Sequence, residues 1–228
     1  MRVVFFDFGG TLARTWVSEG HHPAEFWEIV LEKNGIAIDP NAIRSVLDEF
    51  TREFGRRIYE YLGRTPDFWR ELDSHVMDRL GIQNHREVLM ETLDRMIHQA
   101  SVGELYPDTL PTLTALRAQN SPLGIISNHN DALPGILDYH NIRRFFQTVT
   151  YSQEAGAEKP DRRVFDLALK RSNCAPDEAV YVGDSWNADY LGASRVGMRA
   201  IWLNRRKDPP PESCEMASDL REILALLS

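Results

Sequence analysis

The sequence predicts an α/β fold in which helices cover both faces of a parallel sheet. One observation behind this prediction is a short apolar run, residues 3–6, that ends at Asp7. Another is the regular alternation of helical and extended patterns that begins at Pro107. Strands that alternate with helices are joined by right-handed crossovers, which place the strands parallel to one another in one sheet.

The elements of this sheet follow one another along the chain. Apolar runs predict strands at residues 3–6, 123–127, 147–150, 179–182 and 199–203. Apolar residues at helical spacing predict helices at about 108–118, 132–139, 162–170, 187–195 and 219–227. The first predicted strand belongs to the same sheet, although a long segment separates it from the second one.

That separating segment contains only helical patterns. Apolar stripes predict helices at about 23–35, 39–62, 65–80 and 84–99, and glycines at positions 35, 63 and 81 end the first three. The aromatic and aliphatic residues of these stripes are interpreted as packing residues. We therefore expect a core domain of residues 1–13 and 104–228, and an inserted, entirely helical cap domain of residues 14–103.

Composition narrows the class of protein. The chain has 228 residues and a net charge of −8, which argues against an extended nucleic-acid surface. Two cysteines, Cys174 and Cys214, do not suggest a disulfide framework, and no apolar stretch is long enough to cross a membrane. We expect a cytoplasmic protein with neither nucleic acid nor membrane as a partner. A short basic cluster, Arg205-Arg206-Lys207, is interpreted as a solvated loop.

Polar residues follow three of the predicted strands. Asp7, Ser127 and Asp184 lie at strand ends, and Asp189 comes shortly after Asp184. Ligands of such sheets bind beyond the carboxyl ends of the strands. Two carboxylates about 4 Å apart repel by roughly 4 kcal/mol at an effective dielectric constant near 20. Three acids at one sheet edge therefore predict a bound divalent cation, and with it metal-assisted chemistry on an anionic substrate.

These residues carry a resemblance to a known family. The matching residues are Asp7-x-x-Gly10-Thr11, Ser127-Asn128, Lys159-Pro160 and Gly183-Asp184-x-x-x-x-Asp189. In this order they resemble the four motifs of the haloacid dehalogenase (HAD) superfamily of hydrolases. The resemblance covers the predicted core domain, and the helical insertion is similar to the C1-type cap of that family. It implies a Rossmann-like core with a helical cap.

The resemblance also implies roles for individual residues. Asp7 would be the nucleophile that forms an aspartyl-phosphate. The residues that would bind phosphoryl oxygens are Thr11, Ser127, Asn128 and Lys159. The groups that would hold Mg²⁺ are Asp7, the carbonyl of Gly9, Asp184 and Asp189. The expected activity is that of a magnesium-dependent phosphatase of small phosphorylated metabolites.

One position departs from the family pattern. Most phosphatases of this family carry a second aspartate two residues after the nucleophile, where this chain has Gly9. Such general acid–base assistance is typically worth about 10²–10⁴ in rate. We expect Glu19, His21 or His22, in the segment that follows the first strand, to replace this acid in part.

Gly9 keeps three alternatives open. A metal-free dehalogenase lacks the second aspartate, but does not carry the Asp184 and Asp189 motif. A phosphonatase-like enzyme would use a cap lysine to form an imine, and the only lysine of the predicted cap is Lys33. The third alternative is a weakly active or non-catalytic protein that binds a phosphorylated ligand.

Overall fold

The computed structural model of the protein describes residues 2–15, 24–54 and 66–227. The chain divides into two compact units. One unit contains residues 1–14 and 104–228, and the other contains residues 15–103.

The larger unit is built on a six-stranded sheet. Its strands are β1 (Val3–Phe6), β4 (Leu123–Ser127), β5 (Thr148–Tyr151), β6 (Ala179–Gly183), β7 (Arg199–Leu203) and β8 (Met216–Ala217). They lie in the order β5-β4-β1-β6-β7-β8, and every neighbouring pair is parallel. The predicted α/β class is therefore confirmed. Strand β8 was not predicted, because two residues are too few to show a periodic pattern.

Two short strands form a separate antiparallel pair in the same unit, β2 (Ala13–Arg14) with β3 (Glu104–Leu105). The helices of this unit are α5 (Thr109–Ala118), α6 (Leu133–Tyr139), α7 (Ser152–Ala155), α8 (Arg162–Ser172), α9 (Gly192–Val196) and α10 (Ile223–Leu227). Helix α9 follows a π-helical turn, Trp186–Leu191, where the sequence predicts one regular helix. Shorter 3₁₀ turns cover Arg143–Phe145, Pro176–Glu178 and Leu220–Glu222.

The central strands carry the core of the larger unit. All residues of β1, β4 and β6 are buried, as expected for a parallel sheet that is covered on both faces. On one face, Phe5 and Tyr181 pack with Phe165 of α8, whose ring meets that of Tyr181 edge to face at 5.5 Å. Full burial of such side chains stabilises the fold by roughly 1.5–3 kcal/mol each.

The smaller unit contains the helices α1 (Ala24–Lys33), α2 (Pro40–Phe54), α3 (Pro66–Arg79) and α4 (Arg86–Val102). The remainder of the predicted second helix, residues 55–62, lies outside the described residues. The predicted apolar stripes supply a core of their own, with members Phe26, Trp27, Val30, Leu31, Ile43, Leu47, Leu72, Val76, Leu89 and Leu93. Among the described helices, none has the length and apolar character that a membrane span requires.

The interpretation of the basic cluster as a solvated loop is wrong for its first residue. Arg206 and Lys207 are exposed, but the side chain of Arg205 is only 17% exposed. It forms an ion pair with Asp108, a buried residue at the start of α5. The periodicity of apolar residues indicates only the local structure of a segment, so it does not reveal an ion-pair partner that is distant in the sequence.

Helix α3 contains a buried carboxylate, Asp73, whose Oδ2 atom has no hydrogen-bond partner among the described residues. Burial, and next the charge of Asp94, raise the pKa of Asp73 from 3.8 to about 7. The folded chain therefore keeps a proton that the unfolded chain releases above about pH 4. The free energy of unfolding consequently falls as the pH rises from about 4 to about 7.

Replacement of this carboxylate by a neutral amide should remove that pH-dependent loss. We expect Asp73→Asn to raise the free energy of unfolding by up to roughly 4 kcal/mol at pH 8, and by less at pH 5. Urea unfolding at the two pH values measures the difference. Glu71→Gln, at an exposed position of the same helix, is the control, and an equal gain for Asp73→Asn at both pH values contradicts the prediction.

Candidate active site

Three strand ends meet at one edge of the sheet. Phe6, the last residue of β1, is aligned with Ile125 of β4 and with Val182 of β6. The N–H of Asp7 continues this alignment, because it donates to the carbonyl of Val182 at 3.0 Å. The residues that follow or end these strands are therefore neighbours in space. They are Asp7, Ser127 and Asp184.

The ammonium group of Lys159 lies among the acids of this edge. Its Nζ atom is 2.8 Å from Oδ1 of Asp7, 2.7 Å from Oδ1 of Asp189 and 2.9 Å from the hydroxyl of Tyr181. An ammonium has three donors, so all of them are engaged. The side chain of Lys159 is 2% exposed, which makes this a buried cluster rather than a surface ion pair.

Burial and the crowding of negative charge both shift pKa values in the site. Burial, and then the charges of Asp7 and Asp189, raise the pKa of Asp184 to about 7. Burial also raises the pKa of Asp189, against the opposing effect of Lys159. For Lys159, burial lowers the pKa, but the charges of Asp189 and Asp7 outweigh it, and the pKa lies above its usual value. One ammonium thus faces three acids without neutralising all of them.

Two glycines allow the acids to approach the backbone. Gly10 has a φ of +77°, and a Cβ atom there would lie 2.3 Å from Oδ2 of Asp184. A Cβ atom at Gly183 would lie 2.4 Å from Cγ of Asp189. Any side chain at either position would displace a carboxylate, which explains the glycines that flank the acids in the sequence.

The π-helical turn after β6 positions Asp189. The N–H groups of both Asp189 and Tyr190 donate to the carbonyl of Ser185, at 3.0 and 3.2 Å. The N–H of Ser185 donates in return to Oδ2 of Asp189 at 2.9 Å. This local exchange holds the carboxylate toward Lys159. Turns of this kind inside helices occur frequently at functional sites.

The loop after Asp7 presents unused backbone donors. The N–H of Gly10 donates to Ala13, and those of Leu12 and Ala13 both donate to Phe8. The N–H groups of Gly9 and Thr11 have no hydrogen-bond acceptor in the described part of the chain. Backbone N–H groups of such a loop are suited to bind the oxygens of an anionic group.

The predicted phosphate-binding residues occupy different positions in this arrangement. The hydroxyl of Ser127 has no hydrogen-bond partner among the described residues, although the residue is buried at the end of β4. The hydroxyl of Thr11 lies 3.5 Å from Oδ1 of Asp184. The side-chain amide of Asn128 is engaged at both ends, because it accepts from the N–H of Lys159 at 2.8 Å and donates to its carbonyl at 3.1 Å. Asn128 therefore holds the backbone of Lys159.

Sequence reasoning missed two aromatic residues of the site. The hydroxyl of Tyr181 lies 3.0 Å from Oδ1 of Asp189 and 2.8 Å from the carbonyl of Ile126. The indole N–H of Trp202 donates to the backbone carbonyl of Asp184 at 2.8 Å. The sequence did contain a signal for both, because each carries a polar atom within a predicted strand, and a buried Tyr or Trp normally has a hydrogen-bond partner.

The acids fit a hard divalent cation. Asp7, Asp184 and Asp189 each offer one carboxylate oxygen, and these oxygens lie within 4.8 Å of one another. Mg²⁺ prefers oxygen ligands and is commonly held by one or two carboxylates. Oδ2 of Asp189 accepts one backbone hydrogen bond and retains a lone pair, so that its bond to Ser185 does not preclude a metal contact.

Comparison with known proteins decides the family. The sequence profile of the haloacid dehalogenase-like hydrolases matches residues 1–197. The chain belongs to this hydrolase family. The six-stranded parallel sheet of this hydrolase agrees with that assignment, and the resemblance noted in the four motifs is confirmed.

Several relatives are similar to this HAD-like hydrolase over different lengths. A glyceraldehyde 3-phosphate phosphatase of Methanothermobacter thermautotrophicus is 41% identical over 106 residues, which span 43% of this chain and 44% of that protein. Human haloacid dehalogenase-like hydrolase domain-containing protein 3 is 27% identical over 88% of this chain and 81% of its own length. The crystal structure of a HAD phosphatase from Thermococcus onnurineus has a TM-score of 0.70 and 27% identity, and covers 100% of this chain and 98% of that chain.

A methyl group at Gly10 should displace the carboxylate of Asp184, because the two would overlap. We expect Gly10→Ala to weaken Mg²⁺ binding by about 10-fold or more, as measured by calorimetry. Gly156→Ala is the matched control, since Gly156 has a φ of +63° but no atom within 4 Å of a Cβ position. Both variants share the strain of a left-handed residue, about 1–2 kcal/mol. Equal Mg²⁺ affinities for the two variants would show that the overlap has no consequence.

Proposed function

We propose that this HAD-like hydrolase is a magnesium-dependent phosphatase of small phosphorylated molecules that acts through a covalent aspartyl-phosphate at Asp7. The observation that carries the proposal is the position of the Asp7 carboxylate. It contacts the Lys159 ammonium at 2.8 Å, lies beside two further acids, and precedes a loop whose N–H groups at Gly9 and Thr11 have no acceptor among the described residues. A nucleophile, a cation site and oxyanion donors are thereby combined at one sheet edge.

The relatives support the class of substrate. The relative from Methanothermobacter thermautotrophicus, which is 41% identical over 106 residues, is named a glyceraldehyde 3-phosphate phosphatase, and the similar crystal structure is named a HAD phosphatase. A small phosphate monoester is therefore the first substrate class to test. Because the net charge of −8 repels such an anion at long range, local positive groups must attract it. In this proposal these groups are Lys159 and the bound cation.

The residues supply two displacements at phosphorus. An oxygen of Asp7 attacks phosphorus, an Asp7–phosphorus bond forms, and the bond to the leaving oxygen breaks. Water then attacks phosphorus, which releases phosphate and regenerates the carboxylate. The hydroxyl of Ser127 and the N–H groups of Gly9 and Thr11 are positioned to donate to phosphoryl oxygens. Because phosphoryl transfer depends mainly on positioning and on compensation of equatorial charge, such fixed donors are the main requirement.

Lys159 has a double role in this proposal. Its three donors are engaged by Asp7, Asp189 and Tyr181, so a phosphoryl oxygen can bind to the ammonium only by replacing one of them. Until then, Lys159 bridges Asp7 and Asp189 and offsets the repulsion between their carboxylates. Mg²⁺, held by Asp7, the Gly9 carbonyl, Asp184 and Asp189, would supply the additional positive charge that the acids and a phosphate dianion require.

Gly9 leaves the protonation of the leaving oxygen to another group. Glu19, His21 and His22, which the sequence suggests for this role, lie outside the described residues. His129 is described, and its Nδ1 atom accepts from the N–H of Asn130 at 2.9 Å. Burial lowers the pKa of His129, which favours its neutral form. We keep the segment of residues 19–22 as the proposed source of the acid.

Removal of the nucleophile tests the proposal directly. With p-nitrophenyl phosphate and Mg²⁺, Asp7→Asn should lower kcat by at least about 10³-fold, because an amide does not form the covalent intermediate. Asp177→Asn, at an exposed position of the same unit, should match the unmodified enzyme. Turnover that does not depend on Asp7 would rule out the mechanism.

The pH dependence of turnover can identify the residue that replaces the missing acid. Alanine at Glu19, His21 or His22 should lower kcat by about 10–10³-fold with an alkyl phosphate such as glyceraldehyde 3-phosphate. The loss should be much smaller with p-nitrophenyl phosphate, whose leaving group needs no proton. Unchanged pH–rate profiles for all three variants with the alkyl ester would exclude this segment.

A carbon–halogen hydrolase on the same scaffold is the second candidate, and Gly9 is the observation that favours it. The two candidates differ in their need for metal, because halide is a good leaving group that requires neither Mg²⁺ nor an acid. Chelation of divalent ions should abolish phosphatase turnover and leave a dehalogenase active on a 2-haloacid. The imine mechanism has less support, since Lys33 is the last residue of α1 and is exposed there, as lysines at helix ends commonly are.

A further inference from the structure

Arg205 follows strand β7, in the loop that the sequence suggested to be solvated. Its guanidinium forms two hydrogen bonds with the carboxylate of Asp108, at 2.9 and 3.1 Å. It also lies over the ring of Tyr106, with 3.8 Å between Cζ and the ring centroid. Such a two-point ion pair with a stacked ring fixes the plane and the direction of the guanidinium.

The remaining donors of Arg205 reach the loop that follows the nucleophile. Nε donates to the carbonyl of Gly10 at 3.2 Å, and Nη2 donates to the carbonyl of Thr11 at 2.7 Å. Two consecutive peptide groups are thus held by one rigid side chain. The same loop is held further along, because the carbonyl of Leu12 accepts from the hydroxyl of Thr109 at 2.6 Å.

Planarity of the peptide bond transmits this contact to the other side of the loop. The carbonyl of Gly10 and the N–H of Thr11 belong to one trans peptide group and point in opposite directions. When Arg205 binds the carbonyl, it turns the N–H of Thr11 away from itself. That N–H has no acceptor in the described part of the chain, so its direction is set by the peptide plane alone.

We propose that Arg205 is a positioning residue of the active site, which orients the Thr11 N–H toward the phosphoryl group through the Gly10 and Thr11 carbonyls. The part of this role that concerns the phosphoryl group rests on the proposed phosphatase function. The contacts of Arg205 with the loop do not depend on that function. Lysine keeps the charge that Asp108 requires, but its single nitrogen lacks the planar fork that binds three oxygen groups at once. Replacement of Arg205 by lysine therefore distinguishes positioning of the loop from charge pairing with Asp108.

The test compares Arg205→Lys with Arg206→Lys, an identical replacement at an exposed neighbour. With p-nitrophenyl phosphate and Mg²⁺, we expect Arg205→Lys to lower kcat by about 10–100-fold with KM changed less than about 3-fold, since a misplaced donor is lost mainly in the transition state. Arg206→Lys should retain both constants. Similar kcat values for the two variants, measured below their melting temperatures, would overturn the proposal.

Asp108→Asn separates positioning from stability. It removes the buried charge, but the amide oxygen of asparagine can still accept from the guanidinium, and the ring of Tyr106 and the two carbonyl contacts still fix its direction. We therefore expect a lower melting temperature and a smaller loss of kcat than in Arg205→Lys. A loss of kcat as large as that of Arg205→Lys would show that the ion pair only maintains the fold, and would also overturn the proposal.

Amide hydrogen exchange gives a readout that does not depend on turnover. The N–H groups of Leu12 and Ala13 are bonded within the loop, and they should exchange faster in Arg205→Lys than in Arg206→Lys. Equal exchange in the two variants contradicts the positioning role. If the unmodified enzyme shows no Asp7-dependent turnover, the proposed function fails, and faster exchange would still support the role of Arg205 in holding the loop.

Discussion

A single buried ammonium among three carboxylates is the constraint on which this structure depends. Lys159 contacts Asp7 and Asp189 within 2.8 Å, and Asp184 completes the cluster. Charges that leave water lose hydration, and only close pairing and hydrogen bonding compensate for that loss. Burial, together with the negative charge that remains in excess, raises the pKa of Asp184. This excess of negative charge makes the edge of the sheet receptive to a cation.

The fold brings these groups together with little irregular backbone structure. Parallel register aligns the ends of β1, β4 and β6, so that short loops suffice to present their side chains. Two irregular stretches of backbone allow a carboxylate to approach closely, at Gly10 and in the π-helical turn before α9. Binding and catalytic residues commonly lie on loops that a rigid sheet holds in position.

A second set of residues holds the backbone of the site rather than its ligands. Asn128 binds the backbone of Lys159, Trp202 binds that of Asp184, and Arg205 binds the loop after Asp7. Each uses a planar polar group, whose direction is fixed by packing for Trp202 and Arg205 and by hydrogen bonds at both ends of the amide for Asn128. The positions of donors and acceptors in the site are thereby set before a substrate arrives, which is the condition for electrostatic stabilisation of a transition state.

The sequence alone determined the α/β class, five of the six strands of the large sheet and the positions of the acids along the chain, because apolar periodicity and glycine placement report local backbone structure. Only the tertiary structure decided which atoms meet. Lys159 and Asp7 are 152 residues apart, and Arg205 and Thr11 are 194 residues apart. The hydroxyl of Tyr181 and the guanidinium of Arg205 lay in segments that were interpreted as core strand and solvated loop. Their partners come from other strands and loops, and contacts of that range depend on register and crossovers, which no local pattern encodes.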